Sequence, residues 1–428
     1  MTVAFLIGGL LLCLAIRMPV AIALGLSSVL TLSLFGDQTL LSLAQQFFHA
    51  MEVYPLLAVP FFILAGTFLT TGGVARRLIA FATALTGRVR GGLAMASVLA
   101  CALFAAISGS SPATVVAVGS ITIAGMVGAG YRREYATGVV TSAGTLAILI
   151  PPSIVLVVYG AITETSVGAL FIAGVLPGVL LTLAMMAGIY LSAGREALPQ
   201  HSATSWRDVL RTAREAVWGL LLIVIVLGGI YGGVFTPTEA AAVSAVYALI
   251  VAVFVHRDIG VREIPKVLNE SVRTTTMLMF IVANAYLFAF VLTTEQIPQS
   301  IAASVLAAQL PPWEFLLVAN LILLVAGTLM DPTSVVLILA PIIFPIAIEL
   351  GIDPVHLGII IVVNMEIGLV TPPVGLNLFV ASAVAQLPVT SIIRASVPWL
   401  VLLLGFLIVV TYIPALSLIL PRLMLGGP

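Results

Sequence analysis

Four short stretches concentrate hydroxyl, amide and glycine residues around proline inside otherwise apolar sequence. "AISGSSPATV" holds Ser108, Gly109, Ser110, Ser111, Pro112 and Thr114. "AGTLMDPTSVV" holds Gly327, Thr328, Asp331, Pro332, Thr333 and Ser334. "SAGTLAILIPPS" supplies Ser142, Gly144, Thr145 and Ser153, and "NMEIGLVTPPVGLN" supplies Asn364, Thr371, Gly375 and Asn377. The last two each contain a double proline, Pro151-Pro152 and Pro372-Pro373. Proline lacks the backbone N–H, and its ring clashes with the preceding helical turn, so each pair should unwind a helix. Unwinding frees carbonyl oxygens, hard ligands suited to a small cation such as Na⁺. It also exposes half-helix N-termini, whose N–H groups and positive dipole end attract a carboxylate. One break therefore offers cation and anion sites side by side. For a single break the plain alternative is packing or a kink, because Ser and Thr re-satisfy freed backbone groups in spanning helices.

The elements that hold these stretches must sit in lipid. The chain has 428 residues, 61% hydrophobic and 8% charged, against about 25% charged in soluble proteins. Charge-free runs recur, such as 136–163 and 165–193. A spanning helix needs roughly 20 residues, which predicts about ten to twelve spans, some of half length. The runs lack the alternation of outer-membrane strands. The fold class expected is an all-α polytopic membrane protein, and the opening "MTVAFLIGGLLLCLAIRMP" reads as a retained helix rather than a signal peptide.

Internal repetition organises the elements. With "AISGSSPATVVAVGSITIAG" beside "AGTLMDPTSVVLILAPIIFP", Pro112 falls on Pro332 and Thr114 on Ser334. After one inserted residue Pro151-Pro152 falls on Pro372-Pro373, and Pro177 on Pro398. The loop after the first tip, "GAGYRREYA", is basic at Arg132 and Arg133. Its counterpart "IELGIDPVHLG" is acidic, and no Lys or Arg occurs from 274 to 393. Lys and Arg in short loops mark the cytoplasmic side, so equivalent loops should lie on opposite faces, as in an inverted-topology repeat. The stretch 92–130 is too long for one helix and short for two, which suits a re-entrant hairpin of two half-helices meeting at a polar tip. The expectation is inverted repeats with two re-entrant hairpins and two broken helices.

The remaining polar residues are sorted by position. Asp331 should cap the second half-helix of its hairpin and add negative charge near a cation site. Glu366 is a weaker candidate of the same kind, and Glu164 and Glu239 belong at segment ends. The polar stretches 195–215 and 256–273 read as solvated connectors, or as helices lying in the interface with Trp206 and Trp218 as anchors. Cys13 and Cys101 match no metal or redox spacing, and His49, His201, His256 and His356 form no cluster. No GxSxG, HExxH or phosphate-cradling motif occurs, so the chain is expected not to be an enzyme and not to use ATP. The formal net charge of zero suggests no nucleic-acid partner.

At "ISGSSPATV", "GTLAILIPPS", "GTLMDPTSVVLILAPI" and "GLVTPPVGLNLFV" the chain resembles the large membrane subunit of tripartite ATP-independent periplasmic (TRAP) transporters, over nearly its whole length. The resemblance implies a bacterial inner-membrane symporter of the elevator type, moving Na⁺ with an organic acid such as a C4-dicarboxylate, a 2-oxo acid or a sialic acid. It implies two partners, a small four-helix membrane subunit and a periplasmic substrate-binding protein. It places sodium at the tips and facing breaks, Ser108 to Ser111 with Gly144 to Ile148, and Gly327 to Asp331 with Thr371 to Gly375. Backbone carbonyls leave no side-chain signature, so the individual ligands are expectations: Ser108, Gly109, Gly144, Ile148, Gly327, Asp331, Thr371 and Gly375 for the cation, and Ser110, Ser111, Ser153, Thr333, Ser334 and Asn377 for the substrate. The matching division is 1–91 scaffold, 92–193 first transport repeat, 194–310 connector, interfacial and scaffold helices, 311–390 second transport repeat, and 391–428 C-terminal helix. The alternatives are a stand-alone Na⁺- or H⁺-coupled anion symporter of the same superfamily, a channel, and a membrane-embedded enzyme. The last would need clustered acids or histidines.

Overall fold

A computed structural model describes residues 2–16, 18–35, 40–194, 205–307 and 310–426. Among them there is no strand, and nine helices are long and apolar enough to cross a membrane by length and composition. The chain starts with α1 (Thr2–Ala15), α2 (Val20–Phe35), α3 (Leu40–His49), α4 (Ala58–Thr71) and α5 (Val74–Thr86). The first repeat follows as α6 (Gly92–Ser108), α7 (Ser111–Gly128), α8 (Arg133–Ala143), a 3₁₀ turn at Gly144–Ile148, α9 (Ile154–Thr163) and α10 (Val167–Ser192). Next come α11 (Trp206–Tyr231), α12 (Pro237–Ile250), α13 (Ile264–Thr294) and α14 (Ile297–Ala307). The second repeat is α15 (Pro312–Leu329), α16 (Pro332–Glu349), α17 (Pro354–Leu369) and α18 (Leu376–Ala385), after which α19 (Val389–Tyr412) and α20 (Ala415–Leu425) end the described chain.

Both expected hairpins and both expected breaks are present. α6 stops where Gly109 turns left-handed at φ 59°, and α7 starts two residues later. α15 stops at Met330, whose extended backbone leads into the Asp331 cap of α16. The helical path is interrupted between Leu149 and Ser153 and again between Val370 and Gly375. The Pro151–Pro152 and Pro372–Pro373 peptide bonds are both cis. The arms are longer than half-helices: 17 and 18 residues in α6 and α7, and 18 in each of α15 and α16. At 1.5 Å per residue each rises about 26 Å, close to the hydrocarbon thickness.

Two cavities reveal how the elements face. One of about 900 Å³ is lined by His49, Tyr54, Glu164, Phe235, Thr293 and Leu425. It therefore gathers the ends of α3, α9, α13 and α20 and the starts of α4 and α12. Another of about 580 Å³ is lined by Arg132, Ser192 and Arg394, which gathers the start of α8, the end of α10 and the start of α19. The broken pair α8–α9 and the unbroken α10 both run between these cavities, so they mark opposite faces. Following each helix from one to the other puts the described Lys and Arg on the Arg132 face, with Arg422 in α20 the exception. Acidic residues occur on both faces. By the positive-inside rule the Arg132 face is cytoplasmic. The α6–α7 hairpin opens to that face and α15–α16 to the other, where Glu349 and Asp353 lie, so the repeats are opposed as the loop charges implied.

The repeats are also interlocked. α9 of the first packs on α16 of the second, while α18 of the second packs on α7 of the first. Outside this core, α2 packs on α13, α4 on α12 and α13, and α5 on α11.

Of the two readings of the polar stretches, the in-plane helix is not what the described residues form. Residues 195–204 lie outside the described residues, but Trp206 begins a continuous 26-residue α11, and 264–273 form the first turns of a 31-residue α13. Neither described part is a separate in-plane helix. No glycine interrupts these amphipathic turns, and Pro265 sits in the first turn of α13, where proline is tolerated. They continue straight into the apolar span and carry it past the hydrocarbon into the headgroup region, so Trp218 lies twelve residues along a spanning helix rather than at an in-plane anchor.

Candidate functional site

Both hairpin tips and the helix ends that flank both breaks line one cavity of about 530 Å³. Gly109, Ser110 and Ser111 come from the first tip, and Asp331, Pro332 and Thr333 from the second. Ile148 and Ile154 flank the first break, and Leu369 and Leu376 the second. The facing wall is α13, through Thr274, Met277 and Ile281, together with the start of α2 at Val20 to Ile22. The hairpins enter from opposite faces, and both tips end at this cavity.

Each tip is fastened to the break of its own repeat. Ser111 Oγ donates to the Gly144 carbonyl at 2.9 Å. A Cβ on Gly109 would stand 2.9 Å from the Pro152 carbonyl, so the left-handed turn and the close approach both demand glycine. In the second repeat the Val374 N–H donates to the Thr328 carbonyl at 3.2 Å. A Cβ on Gly368 would lie 2.5 Å from the carbonyl of Gly327, so α15 and α17 touch backbone to backbone.

The expected site residues divide into three groups. Ser110, Ser111, Thr333, Gly109, Ile148 and Asp331 reach the cavity. Gly144, Gly327, Thr371 and Gly375 lie in the tips or breaks, and their part is backbone: Thr371 Oγ1 donates to the Ile367 carbonyl at 2.6 Å, and Gly375 starts α18 at φ 53°. Ser108, Ser153, Ser334 and Asn377 are buried behind the cavity wall. Ser108 Oγ lies 2.9 Å from Thr114 Oγ1. Ser153 is the N-cap of α9, its hydroxyl accepting from the Leu156 N–H and donating to the Ile148 carbonyl at 2.6 Å. Ser334 Oγ donates to Asp331 Oδ1 at 2.5 Å, and its N–H donates to Oδ2 at 3.0 Å. Asp331 is thus the cap of α16, as its position beside Pro332 suggested. Asn377 Nδ2 donates to Ser111 Oγ at 2.7 Å and to the Thr141 carbonyl at 3.3 Å.

The electrostatics of the cavity are unusual for a charged ligand. Among the described residues its lining holds no Lys, Arg or His, and Asp331 is the one ionisable residue there. Positive potential comes from the N-termini of α7 and α16, which both start at the cavity. Behind the wall, oxygen atoms gather without protein partners. Ser142 Oγ and Asn377 Oδ1 are buried and unpaired, near the Thr141 and Gly144 carbonyls that Asn377 and Ser111 engage. An all-oxygen set of this kind suits a hard cation. No group of three or more His, Cys, Asp or Glu able to hold a metal occurs among the described residues. Glu366 is fully buried in α17 with both oxygens unpaired.

Sequence reasoning missed the α13 and α2 wall, which has no polar signature. It also missed Gly368 and the Asn320–Asn364 contact at 2.7 Å. The lone asparagine in "VANLILL" was the available signal.

A family model described as tripartite ATP-independent periplasmic transporter, DctM component, matches residues 7–416. A C4-dicarboxylate TRAP transporter large permease protein of Pseudomonas aeruginosa is 65% identical, over 94% of each chain. An isethionate TRAP transporter permease protein, DctMQ, of Oleidesulfovibrio alaskensis is 41% identical over 96% of this chain and 65% of its own length. Among solved structures, the YdaH transporter of Alcanivorax borkumensis aligns with a TM-score of 0.60 at 15% identity, covering 86% of each chain, a likeness of fold.

Proposed function

The chain belongs to the DctM component family of tripartite ATP-independent periplasmic transporters, and from that premise we propose that it imports a C4-dicarboxylate together with Na⁺ across the bacterial inner membrane. The observation that carries this reading is the one cavity lined by two opposed hairpin tips and by the helix ends that flank two breaks. Among the described residues a dianion in that cavity meets no basic side chain. Its charge is balanced by the helix N-termini of α7 and α16 and by cations held on the oxygens behind the tips. Cation binding orders the tips first and completes the anion pocket, which couples the two solutes. The relatives support the substrate class by name, and the isethionate relative shows that the same scaffold accompanies a different small acid.

The two hairpins and two broken helices form the moving body in this reading, and α2 with α13 forms part of the wall it slides along, an elevator. A small membrane subunit and a periplasmic binding protein complete the system, and the binding protein contributes to the choice of acid. The test is uptake of labelled succinate into proteoliposomes holding this chain, its small subunit and its binding protein. Uptake driven by an inward Na⁺ gradient and abolished when K⁺ replaces Na⁺ is expected. Equal uptake without Na⁺ would overturn the coupling, and uptake without the binding protein would overturn the tripartite assignment.

A further inference from the structure

The cytoplasmic cavity between α8, α10 and α19 takes no part in the transport site, and we propose that it holds an anionic phospholipid by its phosphodiester and one acyl chain. Among the described residues its mouth carries two basic groups, Arg132 and Arg394, with the hydroxyls of Ser192 and Ser391, against one acid, Glu134. Its inner part is lined by Trp399, Pro398, Leu402 and Gly188. From Arg394 to Leu402 along α19 is about 12 Å at 1.5 Å per residue. The cavity therefore runs from the headgroup level well into the hydrocarbon, deeper than a free anion needs. Its volume of about 580 Å³ exceeds that of a phosphate group and leaves room for the start of a chain.

Neighbouring contacts keep the slot open. Tyr135 Oη lies 3.4 Å from Ser192 Oγ, and the Tyr135 ring meets Trp399 edge-on at 6.3 Å. Gly188 lets α10 approach α19, since a Cβ there would already touch the Trp399 ring at 3.3 Å. Aromatic rings and arginines at this depth match the chemistry of the inner-leaflet interface. The bound lipid would bridge α8, which leads into the first break, to α19, which follows the second repeat. It would so brace the two ends of the interlocked core.

The experiment uses the full chain with its small subunit, delipidated in detergent and titrated with phosphatidylglycerol, phosphatidylethanolamine or inorganic phosphate. Lipid retention is read by native mass spectrometry and stability by the thermal midpoint. Phosphatidylglycerol is expected to be retained and to raise the midpoint, while the other two do neither. At about 1 kcal/mol per basic group, Arg394→Gln and Arg132→Gln should each weaken retention about fivefold, and Arg394→Lys should restore most of it. Equal retention of phosphatidylethanolamine, protection by phosphate alone, or unchanged binding in both glutamine variants would overturn the proposal.

Discussion

Asn377 and Ser111 belong to opposite repeats, 266 positions apart, and are joined by a 2.7 Å hydrogen bond from the amide Nδ2 to the hydroxyl Oγ. Ser111 in turn donates its hydroxyl hydrogen bond to the Gly144 carbonyl. The start of α18 is thereby tied to the first tip and the first break at once. In the repeat alignment Leu156 stands where Asn377 stands, so the first repeat offers no equivalent tie.

Asn377→Leu should therefore loosen the first tip without disturbing the second. Leaving buried polar groups unsatisfied costs about 1–3 kcal/mol. A lowered thermal midpoint is expected, together with loss of Na⁺-driven uptake. Unaltered uptake and midpoint would show the tie to be dispensable.

Asp331 separates capping from charge. Asn caps a helix about as well as Asp, while Ala costs about 1 kcal/mol. Asp331→Asn should hold the thermal midpoint near that of the wild type yet raise the Na⁺ concentration needed for half-maximal uptake. Asp331→Ala should lower both stability and uptake. Identical Na⁺ dependence in the Asn variant would remove Asp331 from the cation's surroundings.

Gly109→Ala and Gly368→Ala test the two close approaches. The first forces a left-handed residue to carry a Cβ, at about 1–2 kcal/mol. The second drives a methyl into the α15 backbone, an overpacking typically of about 1–3 kcal/mol. Both should depress uptake more than Gly125→Ala, whose Cβ meets nothing within 4 Å. Paired assays at matched membrane abundance make that comparison.

The α13 wall gives a fourth outcome. A cysteine at Met277 faces the cavity, so a soluble maleimide should modify it, and Na⁺ with succinate should slow that modification severalfold. A rate indifferent to both solutes would place Met277 outside the route of transport.

The hairpins and breaks were readable because proline and glycine act locally: Pro151, Pro152, Pro372 and Pro373 forbid the next helical hydrogen bond wherever the chain then goes. Loop charge likewise reported orientation, since Arg132 and Arg133 mark a face without any contact being known. Long-range pairing left no such trace. Ser153 and Ser110 look alike in sequence, yet one caps α9 and the other lines the cavity. Asn377 became a tie because α18 lies on α7, a fact of packing between distant segments. The wall at Thr274 to Ile281 resembles any lipid-facing turn, for an apolar side chain suits either environment. The amphipathic turns that open α11 and α13 left the connector and the in-plane helix both open, because composition reports polarity and not continuity.

The crossed packing of α9 on α16 and α18 on α7 bears on how the chain is made. When the ribosome has delivered the first repeat, α7 and α9 have been synthesised while their partners have not. Their inner faces, with the exposed carbonyls around Pro152, must wait in the bilayer for the second repeat to emerge. A truncation before α16 would strand that unfinished surface, so quality-control proteases should clear such fragments from the membrane.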